Sequence, residues 1–376
     1  MTESSSPFLA YYLEQSKAEL TPGILDEPAF DRLLHIARQF PAGISNFWGF
    51  ECRLGEVSKA ADFLFEIKKD TPGQLMLSDT VFSESHRRYP IWEQLKAFAS
   101  RWGTDRSPFC YLRNLWLEFD VSAITSSEDL DRALAHPSLF WGPEPQAEFS
   151  QGLLHALNGI VPAFALAAPS VERLISLQAT LPQQAQLFQF GVMSSRDWPV
   201  MRVCINRIEA HEIVPTLSCL HWDGNIEALK TWIERISTCV KSVALNLDMT
   251  SEGIGDKIGL ECYLDWAALD VEQWYPLFTL LRRHGLLLPE KQEALLHFPA
   301  KKVIPLAGQL KDDETAIVYP SCHQNIHHVK ISFSKNEAIE AKAYLGVYRP
   351  GLNKQLFTLI GPEGKLQLPD DHWVIP

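Results

Sequence analysis

The chain has 376 residues, of which 46% are hydrophobic, 21% charged and 11% aromatic. This composition is typical of a globular protein and excludes disordered, collagen-like and coiled-coil chains. The 46 acidic and 34 basic side chains give a net charge of -12, which repels phosphate backbones and anionic bilayers, so neither nucleic acid nor a membrane is expected as a partner.

Two helices are expected first in the chain, at about 7–19 and 27–39. Each is preceded by a residue that can cap its free N–H groups, Ser6 or Asp26, and each carries a proline in its first turn. These helices form an N-terminal helical segment, residues 1–40.

Five pairs of segments with alternating apolar and polar residues follow, which is typical of half-buried strands. We expect these pairs at 44–54 and 62–69, 112–122 and 138–142, 185–193 and 199–208, 241–249 and 257–265, and 327–334 and 340–348. Helices are expected between the strand pairs at about 90–102, 146–160, 170–180, 209–218 and 225–237. Asp270 and Gln273 form a capping box for a further helix that ends at Gly285, and Pro289 starts one more. No linker separates the repeats. We therefore expect one repeat domain at 41–350, with a C-terminal hairpin or tail at 351–376 that packs on it.

Each expected strand has one apolar and one polar face. In the last strand Ala341, Ala343 and Leu345 alternate with Lys342 and Tyr344. If the helices cover all the apolar faces, the polar faces share one interior. This predicts an α+β fold with a single closed antiparallel β-barrel of repeated strand pairs ringed by helices. The alternative is an α+β sandwich whose polar faces look outward to solvent.

The seven cysteines and the N-terminus indicate the compartment. The cysteines are widely spaced and form no C-x-x-C pair, and the N-terminus has no signal-peptide pattern. The richest apolar stretch, 153–168, contains His155 and Pro162 and is too broken to span a bilayer. These features predict reduced thiols and a cytoplasmic protein.

The repeated strand pairs flanked by helices, with Lys342-Ala343-Tyr344 on an inward face, resemble the aromatic prenyltransferases of the ABBA or PT-barrel type. The resemblance covers about residues 40–350 as a pattern of αββα repeats. It implies a barrel in which an allylic diphosphate meets an aromatic or peptide-borne acceptor and transfers its isoprenoid group. Two other strands carry related but different triplets, R-V-C at 202–204 and E-C-Y at 261–263.

Ionising an allylic diphosphate requires positive hydrogen-bond donors around the leaving pyrophosphate, because negative charge builds up there in the transition state. Tyrosine hydroxyls can donate to the same oxygens, and their rings can shield the carbocation. The candidate residues on inward faces are Arg53, Arg202, Tyr263, Lys330, Lys342 and Tyr344. Their alternative role is structural pairing with inward carboxylates.

Electrophilic attack on an aromatic ring releases a proton, so a carboxylate beside the acceptor would orient its N–H or O–H group. Glu51 and Glu118 are the candidates. Glu118 is favoured because Trp116 precedes it on the same face and could stack on the acceptor, whereas Arg53 follows Glu51 and would be neutralised by it. No cofactor is required and no metal site is assigned. If Mg²⁺ takes part, its candidate ligands are Asp120, Asp248 and Glu261.

Two other functions remain open. A non-catalytic barrel could bind a peptide or small molecule for a biosynthetic pathway, which the single complete K-x-Y triplet and the acidic inward faces favour. The other possibility is an α+β interaction protein without a cavity.

Overall fold

The structure is a computed structural model that describes residues 8–79, 86, 88–104, 107–122, 124, 126–144, 159–160, 168–193, 201–250, 252–266, 270–303, 321–335 and 337–349. Three helices precede the first strand, α1 (Leu9–Glu14), α2 (Lys17–Leu20) and α3 (Glu27–Ala37). Asp26 caps α3 as expected, accepting a hydrogen bond from the Ala29 N–H at 2.8 Å. The single helix expected at 7–19 is divided in two at Ser16, whose hydroxyl donates to Gln324 at 2.6 Å.

The described residues contain eleven strands, which belong to one sheet. They are β1 (Phe47–Arg53), β2 (Ala61–Lys68), β3 (Leu112–Phe119), β4 (Ser138–Pro143), β5 (Gln186–Val192), β6 (Met201–Asn206), β7 (Ser242–Met249), β8 (Ile254–Tyr263), β9 (Ala300–Val303), β10 (Ser321–Phe333) and β11 (Ala338–Tyr348). Strands β1 to β8 are neighbours in chain order, β10 joins β8, and β11 pairs with both β10 and β1. The pairing of β11 with β1 closes a ring of ten strands. Every pairing in this ring is antiparallel, so the ring is the predicted antiparallel barrel. Among the described strands, β9 lies outside this ring and pairs with the start of β10.

Helices connect the strands around the outside of the barrel. They are α4 (Pro72–Ser78), α5 (Pro90–Trp102), α6 (Ser127–Ala135), α7 (Ala168–Thr180), α8 (Ala210–Cys219), α9 (Ile226–Ser237), α10 (Tyr275–Arg283) and α11 (Pro289–His297), with 3₁₀ turns at Ala42–Ile44, Pro108–Tyr111 and Val271–Trp274. In the described ranges, each helix is too short or too polar to cross a bilayer.

Several elements differ from the sequence-based expectation. Helices α4 and α6 and strand β9 were not expected. The capping box before α10 does not form: Asp270 caps the 3₁₀ turn alone, while the Gln273 amide bonds the backbone of Asp265. Most of the helix expected at 146–160, and the C-terminal hairpin or tail at 351–376, lie outside the described residues.

The apolar strand faces point outward and form the core with the helices. Trp48 and Phe50 of β1 and Leu115 of β3 are completely buried there. Trp102 of α5 fixes its helix to the sheet, because its indole N–H donates to the Leu112 carbonyl at 2.7 Å. Since the apolar residues are buried outside the barrel, the alternate residues face the lumen. The sandwich with polar faces exposed to solvent is therefore wrong.

Candidate functional site

The lumen collects the polar side chains of the strands. Cross-strand register places Glu51 opposite Tyr344, and Lys330 opposite both Lys342 and Glu261. The residues selected from the sequence as candidates for the site all lie on the lumen-facing side of their strands. They are Glu51, Arg53, Trp116, Glu118, Arg202, Tyr263, Lys330, Lys342 and Tyr344. Residues far apart in the chain therefore share one chamber.

The K-x-Y pair of β11 is bound to a carboxylate of the adjacent strand. The Lys342 Nζ donates to Glu51 Oε1 at 2.6 Å, and the Tyr344 hydroxyl donates to Glu51 Oε2. Burial raises the pKa of Glu51, but the charge of Lys342 and these two hydrogen bonds outweigh it and hold the pKa well below its usual range. Glu51 is thus an anion already held by two of the candidate diphosphate ligands.

Arg53 has partners other than the expected Glu51. It donates to the Ser122 hydroxyl at 2.8 Å, and its guanidinium lies 3.5 Å from Asp62 Oδ2 and 3.3 Å from Glu340 Oε1. Asp62 also accepts hydrogen bonds from two backbone N–H groups that follow β3. Burial and then the charge of Glu51 raise the pKa of Asp62 to about 6. Arg53 thus neutralises a carboxylate cluster at the end of β1.

Arg202 is held by Asp248 on the neighbouring strand. Its Nε donates to Asp248 Oδ1 at 2.8 Å and its Nη2 to Asp248 Oδ2 at 3.1 Å, which is a bidentate pair. Burial lowers the pKa of Arg202, but the charge of Asp248 raises it above its ordinary value. Arg202 therefore has the structural pairing with an inward carboxylate that the sequence left open for it.

Lys330 differs from the other lumen cations. Its side chain is buried at 6% exposure, and its Nζ donates to the Asn246 side-chain oxygen. Among the described residues it has no carboxylate within ion-pair distance. Burial and then the charge of Arg202 lower its pKa. An anion bound beside Lys330 would therefore stabilise its charge, which has no close carboxylate in the described part of the chain.

Glu118 presents an open carboxyl group. It has no hydrogen bond or ion pair with any residue that the structure describes, and on β3 it lies opposite Leu64 and Ser138. Burial, and then the charge of Glu51, raise its pKa to about 8, against the opposing charge of Arg202. Glu118 is consequently a largely protonated group at neutral pH, with both oxygens available to a ligand.

An aromatic cluster lines the end of the lumen where β1 begins. The Phe47 ring is 5.5 Å from Trp116, 5.7 Å from Trp266 and 5.6 Å from His327, measured between ring centroids. Sequence reasoning selected only Trp116 of these. Phe47 shares the inward phase of Glu51 and could have been found from it, whereas Trp266 follows β8 and His327 is placed by an irregularity in β10. These rings form an apolar wall suited to an aromatic ligand or an isoprenoid.

The acidic residues considered for Mg²⁺ are not gathered into one site. Asp248 is paired with Arg202, and Glu261 accepts a hydrogen bond from the Tyr263 hydroxyl at 2.6 Å. Across the ranges described, no group of three or more His, Cys, Asp or Glu side chains could hold a metal ion. A role for Mg²⁺ stays a prediction that would need ligands from the substrate.

Comparison with known proteins identifies the fold. No family model and no curated protein sequence matches the chain. The apo form of the prenyltransferase PriB is similar with a TM-score of 0.54 and 11% identity over 91% of this chain and 96% of PriB. The 5-dimethylallyl tryptophan synthase from Streptomyces coelicolor, solved with DMASPP and Trp, gives a TM-score of 0.49 and 10% identity over 90% and 95% of the two chains. AnaPT from Neosartorya fischeri gives 0.49 and 13% identity over 91% of each chain. The chain has the fold of PriB, so the resemblance suspected from the sequence is confirmed at the level of the fold.

Proposed function

We propose that this protein transfers an isoprenoid group from an allylic diphosphate to an aromatic or peptide-borne acceptor inside its barrel. One observation carries the proposal: in a fold shared with a prenyltransferase, the closed lumen joins a set of cations and tyrosines to an aromatic wall. Fold alone does not determine activity, so the chemistry of these side chains must support the transfer.

The diphosphate would bind to Lys330, Lys342 and Arg202, with Tyr344 donating to the same oxygens. Lys330 has no carboxylate partner among the described residues and gains most from an anion. Lys342 and Tyr344 would exchange Glu51 for diphosphate oxygens. In a site that excludes water these donors favour departure of the pyrophosphate, because negative charge grows on it as the carbon–oxygen bond breaks. The more peripheral Arg53 and Tyr263 complete the proposed substrate-binding set.

The acceptor would lie between Trp116 and Glu118. Both are on the inward face of β3, so a ring stacked on the indole can present its N–H or O–H group to the carboxylate. Glu118 suits this role better than Glu51, because Glu51 contacts Lys342 and Tyr344 and would lie beside the diphosphate that displaces it from them. Glu118 must be ionised to act in this way, which ties activity to its raised pKa.

A second candidate function, a barrel that binds a peptide or small molecule without catalysis, is favoured by the charge of the lumen. Among the described lumen residues carboxylates outnumber cations, and three of the cations, Arg53, Arg202 and Lys342, are already paired with carboxylates. The lumen carboxylates are Glu51, Asp62, Glu66, Glu118, Asp248 and Glu261. Such a lumen would attract a positively charged ligand more strongly than a diphosphate.

Incubation with dimethylallyl or geranyl diphosphate and a panel of indoles, phenols and peptides tests the proposal. The expected result is an acceptor whose mass increases by one isoprenoid group, with the product greatly reduced in Lys342→Ala. Lys335→Ala is the matched control, because Lys335 is exposed and pairs with Asp223 outside the barrel. Absence of product with every donor and acceptor, together with no binding of pyrophosphate in calorimetry, would favour the second function.

A further inference from the structure

Strand β10 contains a bulge that brings two consecutive histidines to the lumen. Ile326 is opposite Leu345 on β11, but the next paired residue is His328, opposite Tyr344, so His327 is an extra residue in the strand. Consecutive residues of a regular strand point to opposite faces, and a bulge removes that restriction. Both rings consequently contact lumen aromatics, His327 the edges of Phe47 and Trp266, and His328 the face of Tyr344 at 4.2 Å.

The two imidazoles are hydrogen-bonded directly to each other. Their Nδ1 atoms are 2.7 Å apart, so one must carry a proton and the other a lone pair. The His328 Nε2 is buried, makes no hydrogen bond with a described residue, and lies 3.8 Å from Glu261 Oε1. This distance is longer than a hydrogen bond, but an ionised carboxylate there attracts an N–H group and repels a lone pair. The other oxygen of Glu261 accepts the Tyr263 hydroxyl. Proximity to the carboxylate assigns the Nε2 proton to His328.

This assignment fixes the state of the neighbouring ring. With its proton on Nε2, the Nδ1 of His328 accepts, so His327 donates from Nδ1 and keeps a free lone pair on Nε2. No described residue donates to that Nε2. Burial lowers the pKa of both rings to about 3, and His328 adds to the effect on His327 while Lys330 adds to the effect on His328, so both rings are neutral at physiological pH. The charged groups that face the pair are Glu51 of β1 and Glu261 of β8 from the other strands and Lys330 from β10 itself.

We propose that His327 and His328 form a proton relay that removes the proton released by the acceptor ring and delivers it to Glu261. This proposal depends on the proposed transfer function. After the isoprenoid carbon bonds to the ring, the ring C–H bond breaks, its electron pair restores aromaticity, and the proton goes to His327 Nε2. The Nδ1 proton of His327 then moves to His328 Nδ1, and the Nε2 proton of His328 moves to Glu261 Oε1. Weak basicity is sufficient, because a protonated aromatic ring is a far stronger acid than an imidazolium.

Nitrogen NMR of the histidine-labelled protein tests the relay without any substrate. The expected spectrum shows a neutral His327 protonated on Nδ1, a neutral His328 protonated on Nε2, and a coupling between the two Nδ1 atoms across the hydrogen bond. Replacement His327→Asn keeps a donor near the Nδ1 position, so His328 should retain its tautomer. A spectrum in which either ring is cationic at neutral pH, or in which the two Nδ1 atoms are not coupled, overturns the relay.

Kinetics with ring-deuterated indoles and phenols from the panel, with dimethylallyl diphosphate as donor, test the role in the reaction. In His327→Asn, product formation should fall by about 10²-fold, and a primary isotope effect should appear because proton loss becomes limiting. Release of isoprenyl alcohol, which reports donor ionisation, should continue. His297→Asn, on the exposed face of α11, is the control and should behave as the wild type.

The outcomes separate the relay from the function that it serves. Full transfer by His327→Asn with no isotope effect overturns the relay and leaves the transfer function standing. No transfer by the unmutated protein overturns the transfer function, and the relay's role is lost with it.

Discussion

Replacing Glu118 with Gln is the perturbation with the clearest expected signature. The carboxyl group has no partner among the described residues and faces the other lumen carboxylates. Burial and the charge of Glu51 raise its pKa from 4.5 to about 8. Gln keeps the size and polarity of the side chain and removes the ionisation, so the effects of charge can be measured separately from those of packing.

The shift predicts a pH-dependent cost to stability. A carboxyl group whose pKa is higher in the folded than in the unfolded state favours folding less as it ionises. Below the unfolded-state value of 4.5 there is no penalty, the penalty grows as the pH rises to about 8, and above that it is constant. At about 1.4 kcal/mol per pKa unit the full shift corresponds to about 4–5 kcal/mol. The Glu118 side chain is only partly buried, so solvent screens part of this charge and we expect about 2 kcal/mol.

Urea denaturation at about pH 5 and about pH 9 measures this penalty as the difference in unfolding free energy between Glu118→Gln and wild type. Relative to wild type, the unfolding free energy of the variant should be about 2 kcal/mol higher at pH 9 than at pH 5. Glu66→Gln is the control, since Glu66 is also a lumen carboxylate but accepts a hydrogen bond from Asn114 at 2.5 Å. A difference that is the same at both pH values would refute the electrostatic reasoning.

The same residue predicts the pH dependence of turnover. Wild-type transfer should increase as the pH rises through about 8, because Glu118 must be ionised to orient the acceptor. Glu118→Gln should lose this rise and fall in turnover by on the order of 10²–10⁴. Unchanged turnover in the variant would remove Glu118 from the mechanism.

Three further variants test the lumen and the barrel. Glu51→Gln removes the negative charge that Lys342 and Tyr344 contact and leaves Lys342 near Glu340. Calorimetry should therefore find pyrophosphate bound about tenfold more tightly, a gain of about 1.4 kcal/mol, whereas equal affinity would mean that Glu51 does not compete with the anion. Asp248→Asn leaves the Arg202 charge unpaired and should cost about 3–5 kcal/mol of unfolding free energy, most of which the double variant Arg202→Met with Asp248→Leu should recover. Stability unaffected by Asp248→Asn alone would mean that this partly buried pair does not stabilise the fold. Gly49→Ala would place a Cβ against the Leu345 carbonyl oxygen of β11, so the unfolding free energy should fall by about 1–3 kcal/mol; wild-type stability would contradict the β1–β11 closure.

The strands could be predicted because their alternation is regular. Strand β11, with Ala341, Ala343 and Leu345 on the core side, lies within two residues of its expected bounds. The bounds of β10 were predicted less well: it begins at Ser321 and not at 327, because a polar start and the bulge at His327 interrupt the pattern. Helix α6 had a readable signal, since the Ser126 hydroxyl accepts from the Asp129 N–H, but it lies inside a strand pair that was expected to have no helix.

The residues of the lumen could be predicted, but their partners could not. Strand phase alone places Glu51, Glu118 and Lys342 inside the barrel. Which carboxylate meets which cation depends on how β11 closes on β1, and the sequence does not state that register. The expected contact between Glu51 and Arg53, neighbours on one strand, is therefore replaced by a contact between Glu51 and Lys342 across the closure.

Titration with dimethylallyl thiolodiphosphate, a slowly reacting donor analogue, tests most directly whether the lumen is a diphosphate site. The account predicts measurable binding by the wild type and by Lys335→Ala. It predicts binding weaker by about 1.5–3 kcal/mol, roughly 10- to 150-fold, for Lys342→Ala and for Lys330→Ala, because each loses a charge-assisted hydrogen bond to the analogue. Binding by the wild type that neither lumen variant weakens, or no binding at all, would contradict it.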